Sequence, residues 1–172
     1  MSGFTLATNR QIKKDISHRW KRYFIDFTLT KKYHPSILSY LSNWQTPFLF
    51  TKVNRTMVAA SPGIYLFYVK PNPQIYIEQS FIMYVGYSMN SYKRYGDYLG
   101  TYKNSDEPNY YERRVMLNVW EDCLYYTFIE LKNKTEKEIQ EIEDKIIDSL
   151  VPCINRDFAN AVIKQQVRIN RI

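Results

Sequence analysis

Three apolar runs constrain this chain most strongly: GIYLFYV (63–69), FIMYVG (81–86) and CLYYTFIEL (123–131). Each is short, rich in β-branched and aromatic residues, and bounded by breakers or charge, which reads as a strand. Pro71, Asn72 and Pro73 end the first run, and QIYI (74–77) is a candidate extra strand in the connection to the second. Between and around the runs the period changes to a helical one. Two strands, helices, one strand and a helix predict an α+β fold: a small, mainly antiparallel three-stranded sheet flanked by helices.

The helices follow from spacing and caps. Ile12, Ile16, Trp20 and Phe24 recur at helical spacing among basic residues, predicting an amphipathic helix over 9–24. Pro35 opens a second short helix with Ile37, Leu38 and Leu41 as its apolar stripe. Residues 42–62 read as irregular, punctuated by Pro47 and Pro62. Ser88 or Asn90 can cap a helix over 90–99, followed by a polar loop at 101–109. YYERRVMLNVW (110–120) reads as a helix with Val115, Val119 and Trp120 inward. Thr135 and Glu138 form a capping box for a helix running to Leu150, and Pro152 stops it. The chain thus divides into a basic, mostly helical N-terminal extension (1–61), a core (62–155) and a basic, mildly helical tail (156–172).

Charge follows that division. The net charge is +7, yet residues 1–34 carry eight basic groups against two acidic ones, and residues 156–172 carry four against one. The middle is slightly acidic. A near-neutral body with two basic ends suits a polyanionic partner, because cation–phosphate contacts release condensed counterions. Cys123 and Cys153 make neither a disulfide framework nor a CxxC pair, and His18 and His34 lack metal-ligand spacing. A reduced, cytoplasmic protein without structural zinc is expected. No N-terminal apolar segment or membrane-length apolar run suggests secretion or insertion.

Gly63-Ile64-Tyr65 and Tyr84-Val85-Gly86 lie in two of the strands, and Arg94 follows Tyr84 by ten residues on the next helix. Two phenols and a guanidinium at one end of a small sheet suit gripping and cutting a phosphodiester. Arg94 and Tyr98, four apart, share a helix face. In the 135–150 helix Glu138, Glu141, Asp144 and Asp148 fall on the polar side, whereas Glu143 falls near the centre of the arc of Ile139, Ile142, Ile146, Ile147 and Leu150. A buried carboxylate is costly unless compensated. An arginine partner, a rim position, or a hard divalent cation such as Mg²⁺ would each account for it.

These elements together resemble the GIY-YIG nuclease family: Gly63-Ile64-Tyr65, Tyr84-Val85-Gly86 (with Val for Ile), Arg94, then Glu143 followed by IIDSLVPCIN through Asn155. The resemblance covers about residues 62–155. It implies a catalytic set of Tyr65, Tyr84, Arg94, Tyr98, Glu143 and Asn155. One of Tyr65 and Tyr84 would position or deprotonate the attacking water, and Arg94 would bind the scissile phosphate. Tyr98 takes the place where members carry His or Tyr. Glu143 would hold a single Mg²⁺ or Mn²⁺, and Asn155 would support the site. Tyr87 stands where several members place Lys or a small residue.

The expected activity is site-specific hydrolysis of double-stranded DNA. The chain resembles the stand-alone type II restriction endonucleases of the family, which act as homodimers on palindromic sites. A phage or mobile-element nuclease of loose specificity and a non-catalytic nucleic-acid-binding module are the alternatives. Lys13, Lys14, Arg19, Lys21, Arg22, Lys93 and Arg168 are the candidate DNA-backbone contacts.

Overall fold

A computed structural model describes Tyr40, residues 43–70 and residues 80–170. The expected helices at 9–24 and after Pro35, and the QIYI segment, lie outside the described residues. Strands β1 (Phe48–Leu49), β2 (Gly63–Val69), β3 (Phe81–Ser88) and β4 (Leu124–Glu130) form one sheet in the order β1-β4-β2-β3. Every pairing is antiparallel. Helices α1 (Ser91–Asp97), α2 (Tyr111–Val119), α3 (Glu136–Leu150) and α4 (Ala161–Asn170) flank it. The architecture is α+β, with one more strand than the sequence predicts.

The additional strand has a physical reason to escape a sequence reading. A strand of two residues directly after Pro47 has no periodicity to show. Tertiary pairing with β4 makes the strand, supported by hydrogen bonds from Phe50 N to Leu124 O (2.8 Å) and from Gln45 N to Phe128 O (3.0 Å). Phe48, Phe50 and Val58 are buried, so the core begins before residue 62. Phe158 and Ile163 are buried too, so it continues beyond residue 155.

Both faces of β2 are covered, and strand alternation divides them chemically. Tyr65, Phe67 and Val69 join Tyr84, Tyr95, Tyr98, Tyr126 and Phe128 in an aromatic layer beneath α1 and α2. Ile64 and Leu66 point the other way, joining Val85, Ile129, Ile139, Ile142 and Ile146 in an aliphatic layer beneath α3. Helix α3 starts at the expected capping box, with Thr135 and Glu138 satisfying each other's backbone donors. It ends where Val151 takes a left-handed conformation (φ 45°), uncommon for a β-branched residue, immediately before Pro152.

That turn sends residues 153–155 along the outer edge of β3. Ile154 N donates to Met83 O (2.8 Å) and Cys153 N to Ile82 O (3.3 Å), covering what would otherwise be an open strand edge. The chain then folds back over the end of α3. Asp148, expected on the polar side, is therefore buried, accepts a hydrogen bond from Asn160 N (2.9 Å), and has its carboxyl pushed up by burial. In α2 the buried residues are Met116 and Leu117, while Val115, Val119 and Trp120 are only half-buried. Cys123 and Cys153 are not joined in a disulfide, and Cys153 Sγ donates to Ile82 O (3.1 Å). No helix among the described residues is long and apolar enough to cross a membrane.

Candidate active site

The sheet register places the two tripeptides side by side. Tyr65 faces Gly86 across the β2–β3 pair, and Phe67 faces Tyr84. Tyr65 and Tyr84 are thus diagonal neighbours on the aromatic face, with ring centroids 6.3 Å apart. Gly86 makes room for this. A Cβ there would land on the Tyr65 hydroxyl and lie 2.9 Å from Tyr84 Cε1. Gly63 serves the other neighbour, since a Cβ there would collide with Ile129 O. We predict that Gly86→Ala displaces the Tyr65 ring and lowers stability by about 1–3 kcal/mol, the usual cost of overpacking. An unchanged urea midpoint would contradict this packing.

Helix α1 adds the next groups. Asn90 caps it, its side chain accepting from Lys93 N (2.9 Å). The helix does not stop near residue 99. It widens to π-type bonding over Tyr98–Tyr102 and continues to residue 104, so part of the expected polar loop is helical. This brings Tyr98 and Tyr102 both inward. Tyr98 Oη and Tyr65 Oη share a hydrogen bond of 3.0 Å, and the Tyr98 ring lies 6.3 Å from that of Tyr84. Arg94 Nη1 donates to Tyr102 Oη at 2.6 Å, while its Nε is buried with no hydrogen-bond partner among the described residues.

Tyr84 is where this network reaches open space. A cleft of about 240 Å³ lies at the outer edge of β3, lined by Tyr84, Glu143, Asn155, Arg113, Glu112 and Asp144 among others. Because β3 is the last strand, α2 from one face and α3 from the other meet beyond its edge. A carboxylate from the aliphatic side therefore reaches the same cleft as a phenol from the aromatic side. Tyr65 and Tyr98 are fully buried behind Tyr84 (2% and 1% exposed). Burial pushes both phenols well above their ordinary value. Burial also raises Tyr84, but Arg113 opposes the rise.

Glu143 is half-buried and its carboxyl is pushed up to about 7, first by burial and then by Asp144 beside it; a hydrogen bond from the Tyr87 backbone and the charge of Arg113 work the other way. Among the described residues no basic side chain forms an ion pair with it. Asn155 brackets one residue of β3: Val85 N donates to its Oδ1 (2.9 Å) and its Nδ2 donates to Val85 O (2.8 Å). It thereby locks the 153–155 segment onto the strand edge. Tyr87 points to the opposite face, donating to Glu136 Oε1 (3.2 Å) and accepting from Gln140 Nε2.

The candidate backbone contacts separate from this cluster. Lys93 and Arg168 are exposed. Lys13, Lys14, Arg19, Lys21 and Arg22 lie outside the described residues. Arg113 is the side chain that the sequence reading missed. Its Nη2 donates to Tyr84 Oη (3.0 Å), and its guanidinium lies 4.9 Å from the Tyr84 ring centroid.

No protein-family model and no curated protein matches the chain. Solved structures do resemble it. One is the GIY-YIG N-terminal endonuclease domain of UvrC from Thermotoga maritima, bound to magnesium as its catalytic divalent cation. It is 19% identical, covering 60% of this chain and 93% of that one, with a TM-score of 0.39. A Tyr-to-Phe point mutant of the same domain gives 18% identity, 60% and 92% coverage and a TM-score of 0.39. An Asn-to-Ala point mutant gives 18%, 59% and 90%, and 0.36. Likeness at this level carries no functional weight, which rests instead on the residues in the cleft.

Proposed function

We propose that this chain is a metal-dependent DNA endonuclease. The observation that carries the reading is the shared cleft: Tyr84 from β3 and Glu143 from α3 line one open space, with Tyr65, Tyr98 and Arg94 packed behind Tyr84. The donor set fits a hard cation held lightly. Glu143 is a half-buried carboxylate with no ion-pair partner among the described residues, and no group of three or more ligating side chains is found among them. One carboxylate, with water and phosphate oxygens completing the shell, is the usual way Mg²⁺ is bound; Mn²⁺ suits the same donors. Such a cation supplies Lewis acidity toward a phosphoryl oxygen and makes water more acidic.

The protein's own groups would do the rest. Glu143 would hold the cation. Tyr84, whose hydroxyl belongs to both the cleft and the phenol network, orients the attacking water and takes its proton. Arg94, packed behind Tyr84 and bonded to Tyr102 rather than lining the cleft, would act on charge developing on the non-bridging oxygens from that second layer. Tyr65 and Tyr98 hold Tyr84 in place, and Asn155 holds the cleft wall against β3.

The finer reading is a cytoplasmic type II restriction enzyme acting as a homodimer. The described residues of each chain offer one such cleft, so cutting both strands in one encounter takes two copies, and two-fold protein symmetry matches a palindromic site. A supercoiled plasmid incubated with Mg²⁺, and in parallel with chelator, is the test. Discrete fragments with Mg²⁺ alone are expected. A smear or nicking alone would favour a nuclease of loose specificity. A metal-independent gel shift without cleavage would overturn the enzymatic reading.

A further inference from the structure

We infer that Arg113 is a positioning residue that fixes the Tyr84 phenol and favours its ionised form, so that this arginine decides when Tyr84 can take a proton. The inference rests on Tyr84 being the proton acceptor of the proposed nuclease. Arg113 projects from α2, one helix beyond the constellation read in the sequence. Its Nη2 donates to Tyr84 Oη at 3.0 Å. Its guanidinium lies 4.9, 5.4 and 5.9 Å from the ring centroids of Tyr84, Tyr102 and Tyr110, a cage of three aromatic faces.

The direction of this hydrogen bond matters. A guanidinium has no acceptor, so Tyr84 Oη must accept, and it does so from a permanent cation. A bond of that kind strengthens when the phenol becomes a phenolate. The groups facing Tyr84 from other elements are Tyr65 on β2, Arg94 and Tyr98 from α1 and its extension, and Glu143 on α3. Glu112, Asp144, Arg156 and Asp157 line the same cleft. Glu143 and burial both disfavour the phenolate, and the cation on Tyr84 opposes them without cancelling them. Tyr102 links the two guanidinium groups, accepting from Arg94 Nη1 (2.6 Å) while its ring faces Arg113.

The test separates this role from cleavage itself. Protein made with fluorotyrosine, whose phenol is more acidic, is titrated by ¹⁹F NMR, the Tyr84 resonance being assigned with Tyr84→Phe. Arg113→Gln is expected to raise the Tyr84 titration midpoint by at least about one pH unit, tenfold in proton affinity. Arg113→Lys keeps the charge but cannot fork over ring and hydroxyl together, and a rise of about threefold in proton affinity is expected. The lysine variant decides the question alone if the glutamine variant does not fold. In the pH–rate profile the limb requiring deprotonation should move upward by the same interval, with KM for DNA unchanged. An unmoved Tyr84 titration, or a rate lowered equally at every pH, overturns the inference. Failure of the wild-type protein to cut DNA would instead overturn the nuclease reading, because the NMR titration needs no substrate.

Discussion

Glu143→Gln is expected to leave the protein folded and to reduce Mg²⁺-dependent cleavage at least about a thousand-fold, equivalent to about 4 kcal/mol of barrier. Glutamine fills nearly the same volume, so the wall of the cleft persists. What disappears is the negative oxygen pair that holds a hard cation. No group of three or more ligating side chains stands among the described residues to take its place, and added metal should not rescue the variant. Activity within tenfold of wild type would refute the assignment of Glu143 as the metal ligand.

Glu143 also predicts a pH signature. Its carboxyl is pushed up to about 7, so below that pH a proton competes with the cation for the same oxygens. Mg²⁺ or Mn²⁺ affinity, followed by calorimetry, should fall about tenfold per pH unit below 7 and level off above it. Stability runs the other way. An acid ionising near 7 in the folded state and near 4.3 when unfolded binds more protons when folded between those values. Its contribution to stability is therefore lost as pH rises from about 4 to 7 and stays constant above. Glu143→Gln removes that slope from unfolding measurements. Titrations identical to wild type would mean that the carboxyl is not held as the structure shows.

How much of this could be read in the sequence depends on whether local pattern or tertiary pairing decided each element. Strands β2, β3 and β4 and the capped start of α3 were legible because composition, breakers and the Thr135–Glu138 box all agree with the final fold. Glu143 stood out because it interrupts an isoleucine arc. The same signal was present for Arg113, which shares a helix face with the buried Met116 and Leu117 three and four residues on. The competing pattern of Val115, Val119 and Trp120 hides it, because those apolar residues suggest a different inward stripe. Strand β1 was illegible in principle, since two residues carry no period. The burial of Asp148 depends on residues 153–160 doubling back, which no helical periodicity encodes. Tyr102 joins the site only because the helix widens over Tyr98–Tyr102, placing a residue eight beyond Arg94 against its guanidinium.

Arg94→Ala is the second large effect expected: a loss of about 100- to 1,000-fold in kcat, the scale seen when one preorganised donor to a developing oxyanion is removed. The structure argues that this loss is not a folding defect. Arg94 is half-exposed and bonds to Tyr102, while the Tyr65–Tyr98 hydrogen bond and the Arg113–Tyr84 contact do not involve it. Its removal leaves one tyrosine hydroxyl without a donor, a cost of about 1 kcal/mol, too small to unfold a domain of ordinary stability. KM for DNA should change little, because backbone affinity comes from many basic groups and only one is lost. Arg94→Lys should recover little of the rate. An ammonium is a point charge without the planar fork that can bond a phenol and reach a phosphate oxygen at once. If Arg94→Ala instead raised KM and left kcat unchanged, Arg94 would be an ordinary backbone contact, and the charge of the transition state would have to be met by a group that lines the cleft, as Arg113 does.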